Sequence, residues 1–367
     1  MDKEVLELEC LIRRYNDAYR KGNPLVTDQE FDQLVEQLQE LNPDSEWFKK
    51  GVQDKVSEDR KEKLPIPMFS LEKVKSHEEI LRWIKSIDLK STDELIVTPK
   101  YDGISLCVLE TVGNAWTRGD GEFGQNCTEH FEKCINNAIY TQSLDNELPI
   151  FSFGEAIFKT ADFLKIKDEA GYKSARNAVA GLLNSPNVSE FVKYVNYVRY
   201  GCDNEDWDKK KQLEILNECS CEQSRVNFST ITVKSLEDED GFVNLMNSLF
   251  EKLTKGYKCD GLVIDVNNAK KRRELGRLAN NNPRYAIAYK NPEWSEREET
   301  VVKEVRWQIS KDGRLAPVVE IEPIELCGAT VSKCTAYNAR YIVENNIVPG
   351  ARVVICRSGD VIPKHLK

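Results

Sequence analysis

Apolar residues recur at helical spacing through residues 3–20, where Val5, Leu8, Ile12, Tyr15 and Tyr19 share one stripe that must be buried against a partner. Gly22-Asn-Pro24 ends that helix. Thr27 opens a second one with Glu30 three residues on, the pairing of a capping box, and Phe31, Leu34, Val35, Leu38 and Leu41 supply its apolar face. A short helical unit therefore leads the chain. From Asp93 to about residue 290 the period changes to short alternating strands broken by Gly-rich turns, with helical stretches near 76–87, 161–170, 205–218 and 235–254. Strands and helices do not alternate strictly, so the pattern predicts an α+β domain of antiparallel sheets with helices rather than a doubly wound parallel sheet. Beyond the charged stretch Glu293-Trp-Ser-Glu-Arg-Glu-Glu299, strand-like segments return at 301–309, 315–322, 329–334 and 351–356, at the spacing of a small antiparallel barrel. The expected division is 1–60, 61–298 and 299–367, with the barrel still open where the chain stops at Lys367.

Composition narrows the class. Charged residues are 31% and hydrophobic ones 40%, the balance of a soluble globular chain, and at 367 residues there is length for two or three domains. No apolar run approaches the roughly 20 residues of a membrane span. The start Met-Asp-Lys-Glu-Val-Leu-Glu lacks the basic and apolar regions of a secretory signal, so the expectation is an intracellular, cytoplasmic protein with no membrane partner. Eleven cysteines include no C-x-x-C pair and only three histidines accompany them, which predicts reduced thiols and no zinc site. The net charge of −9 argues against broad nucleic-acid affinity. Lys270-Lys-Arg-Arg273 with Arg277 is the exception, a dense basic cluster that suits either DNA phosphates or a solvated helix face. Lys209-Lys-Lys211 reads as solvated surface.

The chemistry centres on Thr98-Pro-Lys-Tyr-Asp-Gly103, set between the apolar stretches Leu95–Val97 and Ile104–Val108. Strands on both sides would fix Lys100, and a half-buried lysine beside other cations loses proton affinity and becomes a nucleophile. Asp102 would orient or neutralise it, and Gly103 would let the backbone approach a ligand. Taken alone, K-x-D-G equally suits a surface hairpin with an ordinary ion pair.

Further motifs follow in order. They are Thr-Arg-Gly-Asp-Gly-Glu-Phe-Gly at 117–124, Phe-Ser-Phe-Gly-Glu at 151–155, Ser-Ala-Arg-Asn-Ala-Val-Ala-Gly at 174–181, Cys-Asp-Gly-Leu-Val-Ile at 259–264 and Pro-Arg-Tyr-Ala-Ile-Ala-Tyr-Lys at 283–290. The series resembles the NAD-dependent DNA ligases of the covalent nucleotidyltransferase superfamily, nearly end to end, from Val26-Thr-Asp-Gln-Glu-Phe-Asp32 through Pro67-Met-Phe-Ser-Leu71 to Arg357-Ser-Gly-Asp-Val-Ile-Pro363. The resemblance implies a helical module for nicotinamide mononucleotide (NMN), an ATP-grasp-like nucleotidyltransferase domain and a partial OB-fold barrel. It implies NAD+ and Mg2+ as cofactors, nicked double-stranded DNA as partner, and sealing of nicks in replication and repair. Zinc and helix-hairpin-helix functions, absent from this sequence, would come from a missing region or a second chain.

Roles carry over by position. Lys100 would form the lysyl-AMP bond, with Asp102 beside it and Lys290 neutralising the α-phosphate. Arg118 and Glu155 would hold the ribose and its surroundings, with Glu155 reaching Mg2+ through water. Arg176 would contact phosphate or the nick, Tyr200 would stack on adenine, and Asp260 would line the same pocket. Asp28, Asp32, Tyr19 and Phe31 match the NMN module, and Ser70-Leu71 a dinucleotide contact. Lys270, Lys271, Arg272, Arg273 and Arg277 would meet DNA. The chain departs from the family at Ala18-Tyr19 and Phe31, where Tyr-His and a second Tyr are usual, at Thr98 for a glutamate that reads adenine, and at Asn184 for an arginine. Asp265 stands where a lysine is expected, and would recruit a second Mg2+, pair with a base such as Arg272, or turn away. Competing expectations are an ATP- or GTP-using relative of the RNA ligase or capping type, and a non-catalytic DNA-binding subunit.

Overall fold

The computed structural model describes residues 60–134, 150–172, 174–294, 297–309, 315–326, 329–336, 338–358 and 360–365, together with 5, 8–12, 14–15, 26, 34–35, 37–38, 41–42 and 45. The chain divides into two compact units, Val52–Trp294 and Met1–Gly51 with Ser295–Lys367.

The larger unit contains β1 (Lys61–Lys63), β2 (Glu72–Val74), β3 (Glu94–Tyr101), β4 (Ile104–Leu109), β5 (Asn114–Thr117), β6 (Phe123–Gln125), β7 (Phe151–Phe158), β8 (Val195–Cys202), β9 (Ser229–Thr232), β10 (Cys259–Val266) and β11 (Ala286–Tyr289). Among the described residues these form a five-stranded sheet in the order β2-β11-β10-β3-β9, a four-stranded sheet β5-β4-β7-β8, and the ribbon β1-β6. All ladders are antiparallel except β2 with β11. The expected α+β architecture is therefore the observed one.

Side-chain alternation explains why the two sheets face each other. In the first sheet Leu95, Val97, Leu262, Ile264, Val266 and Ile287 point to a layer containing Ile80 and Ile84 of the helix His77–Ser86 and Phe242, Met246 and Leu249 of the helix Glu239–Leu253. In the second, Leu106, Val108, Ala156 and Phe158 point to Val179 and Leu182 of the helix Ala175–Asn184 and to Phe163 and Ile166 of the helix Thr160–Ala170. Each such fully buried aliphatic contributes about 1.5–3 kcal/mol. The opposite faces meet through Ile96, Ile157 and Val198, joined by Leu213 of the helix Lys209–Cys219, which leaves the ends of the facing strands to build a site.

The helix His77–Ser86 starts at Ser76, whose hydroxyl accepts from Glu79 N while the Glu79 carboxylate accepts from Ser76 N. That reciprocal pair satisfies two otherwise unpaired amides and fixes the helix start.

In the second unit, Val5, Leu8 and Ile12 pack against Leu34, Val35 and Leu38, as the two stripes require. The unit also contains β12 (Arg297–Ile309), β13 (Leu315–Leu326), β14 (Ala329–Thr335), β15 (Arg352–Ser358) and β16 (Asp360–His365), in the order β14-β13-β12-β15-β16. Val302, Val319, Ile321, Val353 and Ile355 fill its interior. Cα atoms of β14 and β16, at the two ends of this order, come within 8 Å of each other, so the sheet curls back on itself. Among the described residues no helix is long and apolar enough to cross a membrane.

Candidate active site

Lys100 lies at the corner between the two sheets. β3 ends at Tyr101, β4 begins at Ile104, and Asp102-Gly103 carries the chain across. Pro99, which cannot donate to a ladder, is tolerated because β9 pairs only as far as Val97, leaving β3 with β10 as its neighbour here. Glycine is required at 103: a Cβ there would stand 2.3 Å from the Ala156 carbonyl oxygen. The close crossing thus brings β7 and its Glu155 up to the loop that follows Lys100.

Three charges converge at this corner. The Lys100 Nζ lies 3.0 Å from Asp260 Oδ1, and Lys290 Nζ donates to Asp260 Oδ2 at 2.5 Å. A register shift in β10 between Cys259 and Gly261 presents Asp260 here, and Gly261 then pairs with Lys100. Burial alone would raise the Asp260 proton affinity, but the two ammonium groups outweigh it and hold the carboxyl below the usual carboxylate range. Asp102 binds a different cation than expected: its Oδ1 accepts from Arg176 Nη1 at 3.2 Å. Arg176 is aimed by the helix Ala175–Asn184, whose N-cap Ser174 hydroxyl accepts from Asn177 N.

Glu155 is buried on β7, with Oε1 accepting from Gly103 N at 3.2 Å and Oε2 from Ser105 Oγ at 2.9 Å. Burial pushes its proton affinity up against the pull of Arg176, Lys100, the Ser105 hydroxyl and Arg118. Arg118, just after β5, donates from its backbone N to the Ser105 carbonyl at 2.9 Å, which puts it on the same wall. Tyr200 joins them: burial raises its phenol, and Glu155, the Ser105 hydroxyl and Arg118 all act on it. Thr98 is buried on β3, on the face that carries Lys100. The structure therefore brings together Lys100, Asp102, Thr98, Arg118, Glu155, Arg176, Tyr200, Asp260 and Lys290. Ser70 and Leu71 lie in the segment before β2, Ser70 exposed and Leu71 half-buried. Tyr19, Asp28, Phe31 and Asp32 lie outside the described residues.

Of the three alternatives for Asp265, the structure shows the pairing with Arg272: Arg272 Nε stands 3.3 Å from Oδ1 and Lys209 Nζ 3.6 Å from Oδ2, all largely buried. The expectation that is corrected concerns the basic run Lys270–Arg273, which is not one continuous exposed patch. Arg272 turns inward to Asp265, and Arg273 binds Asp206 at 2.7 Å. Lys271 donates to the Asp88 carbonyl, and Arg277 lies over the Phe69 ring. Lys270, its side chain 80% exposed, makes only a long ion pair with Glu274 at 3.9 Å.

Lys209 is the residue the sequence hid. Expected at the surface, it is buried and donates from Nζ to the Tyr200 carbonyl at 2.8 Å. A signal existed: Lys209, Leu213 and Leu216 follow i, i+4, i+7 spacing, the buried face of the helix Lys209–Cys219.

Among the described residues no group of three His, Cys, Asp or Glu side chains gathers as a metal site. Each Glu155 oxygen accepts one hydrogen bond, which leaves lone pairs that a metal-bound water would reach.

Comparison with known proteins identifies the family. Residues 57–293 match the family model for the NAD-dependent DNA ligase adenylation domain, and 299–367 the model for the NAD-dependent DNA ligase OB-fold domain. A DNA ligase of Acanthamoeba polyphaga mimivirus is 33% identical over 94% of this chain and 51% of its own length. That of Endomicrobium trichonymphae is 31% identical over 97% of this chain and 55% of its own. That of Brachyspira hyodysenteriae is 32% identical over 99% and 57%. The chain thus spans about half the length of these relatives. A solved Lig E DNA ligase covers 82% of this chain and 99% of its own at 14% identity and a TM-score of 0.39, too slight a likeness to argue from. With both matched regions in order and the K-x-D-G lysine at the crossing of two facing sheets, the chain belongs to the NAD-dependent DNA ligase family.

Proposed function

We propose that this chain carries the adenylyl-transfer core of an NAD+-dependent DNA ligase, with Lys100 as the covalent nucleophile. The observation that supports this most is the Lys100–Asp260–Lys290 arrangement at the sheet corner, an amine and a second cation sharing one carboxylate. Lys100 Nζ forms a P–N bond to the α-phosphorus of NAD+, and the bond from that phosphorus to the bridging oxygen breaks. NMN leaves with the electron pair.

The nucleophile must first lose a proton. In the resting site Asp260 is shared by two cations. A phosphate oxygen arriving at Lys290 draws one of them away, and the carboxylate left beside Lys100 gains proton affinity. Lys290, Arg118 and Arg176 then face the charge that builds on the phosphoryl oxygens, in a site where fixed charges need no reorganisation. Glu155 and Tyr200 hold the nucleoside side, through ribose contact and stacking on adenine. Mg2+ would enter with the phosphates rather than on a protein cage, and no step here depends on it.

The AMP would then pass to the 5′-phosphate of a DNA nick, and the 3′-hydroxyl would displace it. Tyr19, Asp28, Phe31 and Asp32 supply the NMN-recognising surface, and Ser70-Leu71 touches the dinucleotide. Incubation with adenylyl-labelled NAD+ or ATP in separate arms tests the proposal. The parent should be labelled by NAD+ and Lys100→Arg should not be, because a guanidinium keeps its proton. Label from ATP alone would move the chain to the ATP-using relatives. No label from either would leave only a DNA-binding role.

A further inference from the structure

Tyr200 occupies a β-bulge. In the β7–β8 ladder Phe153 pairs with Gly201 and Gly154 with Arg199, so Tyr200 is the extra residue without a cross-strand partner. A bulged residue frees its carbonyl from the ladder and re-aims its side chain. Both consequences are present. The phenol is turned toward Ser105, Glu155 and Arg118, and the carbonyl accepts from Lys209 Nζ at 2.8 Å.

Lys209 is held from the other sheet. Asp265 lies on β10, and its carboxylate reaches Lys209 Nζ at 3.6 Å and Arg272 Nε at 3.3 Å. Asp265 pairs across the sheet with Ile96, four residues before Lys100 on the strand that carries the nucleophile. The backbone around Lys209 is pinned to the same strand end. Lys209 N donates to the Asn267 carbonyl at 2.9 Å, and Asp208 Oδ1 accepts from Ala269 N at 2.8 Å. The helix start thus moves with β10, and its ammonium grips β8.

We propose that Asp265, Lys209 and Arg272 form a buried charged bridge between the two sheets that fixes the Tyr200 bulge and thereby sets the fit and base selectivity of the adenosine pocket. This rests on the adenylyl-transfer proposal for the same pocket. Lys209 and Asp265 are positioning residues: they act through Tyr200. Arg272 is the second cation on the same carboxylate, 3.3 Å from Oδ1, and is itself held over the Tyr285 ring, 4.7 Å from its centroid. Removing the Lys209 charge leaves the Tyr200 carbonyl without its donor. The bulge can then shift its register, and the ring no longer meets the purine at a fixed height.

Calorimetric titration of the full chain with AMP and with inosine monophosphate tests this in the parent, Lys209→Met, Lys209→Arg and Lys210→Met. Met keeps the length and apolar stem of Lys209 without its charge. Losing one charge-assisted contact should weaken AMP binding by about tenfold. It should also narrow the AMP over inosine monophosphate ratio, which a loss of stability alone would not change. Arg should restore part of both. Lys210→Met is the control, because that side chain is half exposed and pairs only loosely with Glu214 at 3.8 Å. Unchanged AMP affinity and unchanged base ratio in folded Lys209→Met would overturn the bridge. So would an equal loss for both nucleotides with no rescue by Arg, since that is the mark of general destabilisation. A parent that binds AMP selectively but is not labelled by NAD+ would overturn the adenylyl-transfer proposal instead, and a parent that binds neither nucleotide would overturn both.

Discussion

Glu155 shows how one residue's burial sets a pH dependence. Its folded proton affinity is raised chiefly by burial, so the folded chain binds that proton more tightly than the unfolded one. The stability linked to Glu155 is therefore complete below the unfolded value, about 4.3, and is lost as pH rises through the higher folded value. Glutamine fits the same hydrogen bonds without titrating, its amide oxygen accepting from Gly103 N and its amide nitrogen facing Ser105 Oγ. Glu155→Gln should therefore gain stability relative to the parent as pH rises from about 4 to 7, while adenylylation falls because a contact to the ribose is weakened. Denaturant unfolding of both proteins across that range reads the difference. A constant offset at every pH would mean that Glu155 titrates as if exposed. The clustering of Lys100, Asp260 and Lys290 was legible at this scale because each sits inside a short motif. The partner of Asp102 was not, since Arg176 is distant in sequence and only the placement of its helix brings it within 3.2 Å.

At the scale of elements, the chain's patterning was informative about periods and silent about registers. Expected helices near 76–87 and 161–170 are observed as His77–Ser86 and Thr160–Ala170. Expected strands at 315–322 and 351–356 are observed as Leu315–Leu326 and Arg352–Ser358. Hydrophobic spacing fixes such elements because a misplaced period would expose a whole face. The bulge at Tyr200 is different, being one surplus residue against a partner strand, and no local pattern encodes that count. The second sheet also hides a charge pair: Arg199 Nε contacts Glu110 Oε1 at 2.7 Å with side-chain exposures of 1% and 6%. Ser152 Oγ donates to the same carboxylate, and the guanidinium lies 4.8 Å from the Tyr197 ring centroid. Removing one partner of such a pair strands a buried charge. Arg199→Ala should cost about 3–5 kcal/mol, whereas the double change Arg199→Met with Glu110→Leu should recover most of it. Denaturant midpoints for the three proteins measure this, and a loss under about 1 kcal/mol for Arg199→Ala would show that water already reaches the pair.

For the molecule as a whole, charge and catalysis divide the account. A net charge of −9 leaves little diffuse attraction for DNA, and the run that looked like a basic patch spends Arg272 on the buried Asp265 and pairs Arg273 with the exposed Asp206. Lys270→Ala should therefore flatten the salt dependence of nicked-DNA binding by at most about 0.9 log units per decade of salt, the share of one phosphate contact. Arg272→Ala should instead lower stability, and a large slope change from it would contradict the inward pairing. The claim on which the rest depends is that the sheet corner makes Lys100 a phosphorus nucleophile toward NAD+. Intact mass of the full chain after incubation with NAD+, followed by peptide mapping, tests it most directly. The account predicts a gain of one adenylyl group on the parent, located on Lys100 and absent from Lys100→Arg. An adenylyl group on any other residue, or one retained in Lys100→Arg, would contradict it.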